Sequence, residues 1–142
     1  MEYTRTRRTI DDQGADAVMF AAEAFALQQR SRVVIAVVDP SGELIQLRRT
    51  PGAQIASSRV AIDKARTAAI FVRPSRVMEE QVTNGRLGAL ALHGASALTG
   101  GIPLVVEDEV VGGIGVSGAS SADEDQELSA IGAEALAVKV EA

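Results

Sequence analysis

Four side chains in this sequence have the chemistry to act on a small molecule, and one glycine run has the spacing to hold one. Lys64 stands in the middle of AIDKARTAA, among alanines, with Asp63 and Arg66 nearby. Burial would lower the pKa of its ammonium and make it a base or a Schiff-base amine. The plainer alternative is a lysine that lays its stem on apolar surface and keeps its head in water. Asp125 falls in the first turn of a C-terminal helix, where it either complements the helix dipole or faces Lys64 as the acid of a pair. His93, the only histidine, can shuttle a proton near neutral pH, or be an exposed turn residue beside Gly94. Arg48 reads as an anion clamp or an edge-strand charge, and Asp39 as a turn residue. No Ser-His-Asp order with a nucleophile elbow can be assembled.

The run VVGGIGVSGAS contains a literal G-x-G-x-x-G at 113–118. A dinucleotide fingerprint needs strand, glycine turn and helix in that order, with an acid about 20 residues later on a second parallel strand. Here the glycines lie within the returning arm of a hairpin. The helix that follows opens with Asp123, Glu124 and Asp125, which would repel a pyrophosphate. In a strand, Gly113, Gly115 and Ser117 share one face, while Gly112, Ile114, Val116 and Gly118 share the other. The first face is almost bare. Either a helix packs very close there, or a flat ligand or neighbouring subunit approaches the backbone.

The elements that must position these groups follow from periodicity. Ala15, Val18, Met19, Ala22, Phe25 and Ala26 make one face of a helix over 11–29, with Thr9 and Asp12 as its capping box. The all-apolar run 33–38 is a strand covered on both faces, returning through Asp39-Pro40-Ser41-Gly42 to a strand over 43–49. A long helix over 54–72 would bury Ile55, Ser58, Ile62, Ala65, Ala69 and Val72. Pro74 stops it, and Ser75 caps a shorter helix ending at Asn84-Gly85. ALTGG, at 97–101, suggests a short edge strand, and a second hairpin turns at 107–109. Ser121 and Glu124 cap the last helix, whose inner face would be Leu128, Ile131, Gly132, Ala135 and Val138. The expected fold is α/β: an α/β/α sandwich of about five mostly antiparallel strands with helices on both faces.

Composition sets the outer limits. A chain of 142 residues suits one domain, here 10–142 behind a flexible arm over 1–9. There is no Cys, so disulfides and thiolate chemistry are excluded, and a lone histidine builds no zinc site. A net charge of -5 argues against nucleic acid despite Arg5, Arg7 and Arg8. The N-terminal stretch has no apolar core of a signal peptide and no run is long enough for a membrane span, so a cytoplasmic location is expected. With 3% aromatic residues the core must be built from Ala, Val, Leu and Ile. Ala61, Ala65, Ala68 and Ala69 make the long helix small on more than one side, which predicts a homodimer or an assembly of dimers.

The order VVDPSGELIQLRRTPGA, VAIDKARTAAIFVRPS, GGIPLVVEDEVVGGIGVSG and DEDQELSAIGAEAL resembles the GlcG/HbpS family, the haem-degrading or DUF336 domain. The positions that carry the resemblance include Asp39, Gly42, Arg48, Gly52, Ala53, Lys64, Ala65, Thr67, Phe71, Pro74, Gly100, Gly101, Pro103, Gly115, Ser117, Gly118 and Asp125. Pro51 and Gln126 depart from the pattern, each standing where many relatives carry an acid. The resemblance implies a profilin-like fold, a homo-oligomer and, as in some relatives, a haem ligand or one related to tetrapyrroles, as in the C-terminal domain of PduO-type corrinoid adenosyltransferases. His93 would then be a candidate iron ligand, with Met1, Tyr3, Met19 and Met78 the only other soft groups.

Two functions follow. In the first, the protein binds a flat carboxylated metabolite or haem over Gly113, Gly115 and Ser117, ringed by Arg48, Lys64, His93, Gly100, Gly101 and Asp125. In the second it is a cofactor-independent isomerase, lyase or hydrolase of a catabolic pathway. Lys64 and Asp125, with His93, would then move protons while Arg48 holds a substrate carboxylate. Neighbouring genes would separate them: a degradation operon favours the enzyme, a haem-uptake cluster the binder.

Overall fold

Five consecutive apolar residues leave β1 (Val34–Val38) no polar side to show to water, and all five are buried. The computed structural model describes residues 2–139. It places β1 between β2 (Leu44–Arg49) and β4 (Glu109–Ser117), with β3 (Gly101–Val106) at the far edge, every pairing antiparallel. Val34, Ala36 and Val38 pack against Ala61, Ala65 and Ala69 of α2 (Ser57–Phe71). Their alternates Ile35 and Val37, with Ile114 and Val116 of β4, meet α1 (Asp12–Gln28) and α4 (Ala122–Lys139) through Val18, Ala22 and Leu128. The molecule is therefore the expected α/β/α sandwich.

The sheet has four strands, not about five. Residues 97–100 are no strand. Ser75 and Ser129 donate to the carbonyls of Leu98 and Gly100, each at 2.6 Å, and the Thr99 amide donates to Glu79 at 2.7 Å. Side chains thus satisfy most of the backbone that a ladder would otherwise engage. Between α2 and β3 lie α3 (Arg76–Thr83) and a 3-10 turn (Leu87–Ala91). The helix α1 is capped by Asp11, whose carboxylate accepts from the Gly14 amide at 2.8 Å, rather than by Thr9. Ser121 caps α4 as expected, accepting from the Glu124 amide at 3.1 Å, while Glu124 reaches back to the Ser120 amide. In α4, Leu128, Ser129, Gly132 and Leu136 are buried, and Ile131 and Ala135 partly so. The Val138 side chain lies outside the described residues.

The inner face of α2 differs from the expected one. Ile55 and Val72 are exposed, and the buried positions are Ser57, Ala61, Lys64, Ala65, Thr67, Ala68 and Ala69. The helix turns its smallest residues to the sheet because the sheet offers glycines there. The same burial uses up Ala61, Ala65, Ala68 and Ala69 inside the protomer, so they cannot supply the close helix contact between subunits that composition suggested.

Residues 2–9 form neither helix nor strand and run over the β3–β4 hairpin. There the Arg7 guanidinium donates to the Val110 carbonyl at 3.0 Å, and Arg8 pairs with Glu107 at 2.6 Å.

Candidate functional site

The bare face of β4 is where α2 sits. A Cβ on Gly113 would collide with the Ala65 carbonyl oxygen, and one on Gly115 with that of Ala61. Gly101, paired with Gly115 across the ladder, stands equally close to the Lys64 carbonyl. Ser117, on the same face, is buried. No ligand has room over Gly113, Gly115 and Ser117. The helix backbone fills that space, which corrects the expected placement of the pocket.

That close approach carries Lys64 into the protein. Lys64 is 4% exposed and Asp125 6%. Lys64 Nζ donates to Asp125 Oδ2 at 3.0 Å and to the Val116 carbonyl at 3.0 Å. The second carboxylate oxygen, Oδ1, accepts from the Ala119 amide at 2.9 Å. Gly100 lies against the lysine head: a Cβ there would come within 2.8 Å of Nζ. The pair thus ties α2, on one face of the sheet, to α4 on the other, across the end of β4. Burial pushes the Asp125 carboxyl above its ordinary range, and the Ala119 amide and the Lys64 ammonium pull it back without cancelling that rise. Glu124, one residue earlier, is held below its ordinary range by hydrogen bonds from the Ser120 and Ser31 hydroxyls.

The other expected site residues are elsewhere. Arg48 pairs with Glu23 of α1 at 2.5 Å, and its register partner Ile35 faces α1 and α4, so it lies on the opposite side of the sheet from α2. Asp39 caps its turn, accepting from the Ser41 and Glu43 amides at 2.8 and 3.0 Å. His93 is exposed, on the loop 92–96. That loop is fastened to α2 by Thr67, which accepts from the Ser96 amide at 2.7 Å, and a Cβ on Gly94 would meet Ile70 at 2.9 Å. Met19 and Met78 are buried, Tyr3 is 92% exposed on the N-terminal arm, and Met1 lies outside the described residues. Of the two departures, Pro51 is exposed. Gln126, with its amide oxygen turned inward, accepts from both terminal nitrogens of Arg76 at 3.1 Å and joins α4 to α3.

Two surface features escaped the sequence reading. The segment that carries His93 has three uncovered leucines: Leu87 is 67% exposed, Leu90 63% and Leu98 46%. At the C-terminal end of α2 lies a groove of about 600 Å³, lined by Ala69, Ile70, Val72, Pro40 and Val110 on its apolar side. Arg5, Arg7, Asp108 and Glu109 line its polar side. Ile70 borders both the groove and the His93 loop. Exposed leucines in LGALALHGASAL were the available signal, because no amphipathic period assigns them an inner face. Among the described residues no three carboxylate or imidazole groups converge as a cation site, and no helix is long and apolar enough to cross a membrane.

Sheet order, helix placement and the lysine–aspartate tie define a small α/β/α domain whose one buried ion pair among the described residues is enclosed between helix and sheet. Comparison with known proteins gives the family. The chain belongs to the HbpS-like family, "Haem degrading protein HbpS-like", whose family model matches residues 10–134. It is similar to protein GlcG of Escherichia coli K12, at 34% identity over 80% of this chain and 84% of that protein. The fold is that of HbpS from Streptomyces reticuli, seen in a double-mutant form, with a TM-score of 0.87 and 28% identity over 94% of this chain and 90% of that one. A PduOC:heme complex aligns with a TM-score of 0.80 and 25% identity, covering 89% and 94% of the two chains.

Proposed function

We propose that the protein is an oligomeric binding protein for a haem or another flat, carboxylated metabolite, held on the surface that joins the His93 loop to the groove at the end of α2. One observation carries this reading: the only histidine is exposed on a segment that carries three uncovered leucines, and its loop shares Ile70 with a groove of about 600 Å³, within the range of small-molecule sites. The likeness to a heme-bound domain and to HbpS supports the ligand class. In that reading His93 would hold the iron, and Leu87, Leu90 and Leu98 would offer apolar surface to the ring. Lys64 and Asp125 hold the shape of the site without touching the ligand.

Oligomerisation has a different basis from the one composition suggested. Phe20 and Leu27 of α1 and Leu44 and Leu47 of β2 are exposed, and β2 is an open sheet edge. Apolar side chains in this number on one protomer favour association with a second copy.

The test is a haemin titration. A Soret band that shifts and saturates in the wild type, and is lost in His93→Ala with unchanged far-UV spectrum, is the expected result. No shift at micromolar haemin removes haem from the ligand class.

The enzymatic alternative has one observation in its favour, the raised Asp125 carboxyl beside Lys64, which is the pattern of an acid–base pair. Against it, both groups are enclosed and their hydrogen bonds are already made within the protein.

A further inference from the structure

Three arginines precede α1 and meet the acidic turn of the second hairpin, Glu107-Asp108-Glu109. Arg8 is committed to that turn: its amide donates to Glu109 at 3.0 Å, and its guanidinium pairs with Glu107 at 2.6 Å and Glu109 at 3.4 Å. Arg7 makes one bond, to the Val110 carbonyl at 3.0 Å, and Arg5 makes no ion pair among the described residues. A guanidinium carries five donors, so most of those on Arg5 and Arg7 are unspent. Both residues line the groove of about 600 Å³, which also holds Ala69, Ile70 and Val72.

We propose that Arg5 and Arg7 are the specificity-determining residues of this groove. They bind the carboxylates of a flat apolar ligand whose body lies on Ile70 and Val72. The proposal rests on the ligand reading above and names the chemistry it selects. Arg8 seats the arm, through Glu107 and Glu109, so that the two arginines behind it face the groove. A planar guanidinium matches a carboxylate with two parallel hydrogen bonds, which a flexible lysine does not reproduce. Asp108 and Glu109 line the same groove and disfavour an anion placed beside them, so the arginines are the groups that can hold one.

The experiment compares iron-free protoporphyrin IX with its dimethyl ester, followed by fluorescence, so that iron ligation at His93 does not enter the readout. The wild type is expected to bind the free acid about tenfold more tightly than the ester, through the charge-assisted bonds. In Arg5→Gln/Arg7→Gln the ratio falls to near one through weaker binding of the acid alone. Both side chains are exposed, so the far-UV spectrum stays native. A ratio unchanged by the double substitution overturns the role of the arm and leaves the ligand reading standing. Failure of the wild type to bind either porphyrin also overturns the role of the arm, while the ligand reading stands or falls separately on the haemin titration.

Discussion

The glycine face of β4 and the segment 87–98 are the two parts of this molecule where small residues and chemically capable side chains gather. In the first, Gly113 and Gly115 let α2 come to backbone contact, and Lys64 and Asp125 are enclosed with their hydrogen bonds made. In the second, Leu87, Leu90 and Leu98, of a type that would serve a core, are exposed on the same segment as an exposed histidine. The contrast separates two uses of polar chemistry. A buried pair whose partners all come from the protein holds elements together. An exposed one amid uncovered apolar surface is available to something else.

The sharpest way to break that distinction is to crowd the glycine face. Gly115→Val sets a branched side chain against the Ala61 carbonyl and the Ala65 amide, both backbone, so neither can yield without moving α2. A loss of more than about 4 kcal/mol is expected in denaturant unfolding, the range reserved for severe core damage. A loss under about 1 kcal/mol would show that α2 does not seat there.

Next in size is Lys64→Met, which leaves the Asp125 carboxyl buried without its cation. Removing one partner of a buried pair is expected to destabilise by about 3 kcal/mol. Combined with Asp125→Asn, the losses should be strongly non-additive. Additivity within about half a kcal/mol would mean the two side chains are energetically independent.

The same pair makes a pH prediction. Asp125 has its folded-state pKa raised, so the folded protein binds this proton more readily than the unfolded chain. Its contribution to stability is fully present below the unfolded carboxyl value and is lost as pH rises through the folded one. The stability of the wild type relative to Asp125→Asn should therefore improve as pH falls from 7 towards 4. Melting temperatures of both proteins across that range would show it, and a gap that stays constant or narrows would refute the direction.

The smallest stability effect belongs to His93→Ala. An exposed loop residue should change stability by less than about 0.5 kcal/mol, while the haemin Soret shift is lost. Stability and binding thus respond in opposite measure at the two regions.

Much of this was legible from the chain. The two hairpins, the strand buried on both faces and the turn residues at 39–42 followed from composition and period, and of the two readings of Asp125 the one in which it faces Lys64 is the one seen. The inner face of α2 was not legible. Hydrophobic period favours Ile55 and Val72, whereas the helix is positioned by how closely its backbone can approach glycine, which favours alanine, serine and threonine. The fifth strand failed for a related reason. The hydroxyls of Ser75 and Ser129, far away in sequence, bond the Leu98 and Gly100 carbonyls, and the ladder to β4 begins only at Gly101. Arg48 looked free because its partner, Glu23, lies on another element.

The pairing of β1 with β4 has a consequence for how the protein is made. Val34 finds Ser117 as its partner, so the centre of the sheet closes only after residue 117 has been made. A ribosome emits the first hairpin long before the second. During that interval Val34–Val38 is paired along one edge by β2 and open along the other, an apolar template for any neighbouring nascent chain. Slow translation between the two hairpins should therefore increase aggregation, and supplying the segment from β3 onward in trans should suppress it.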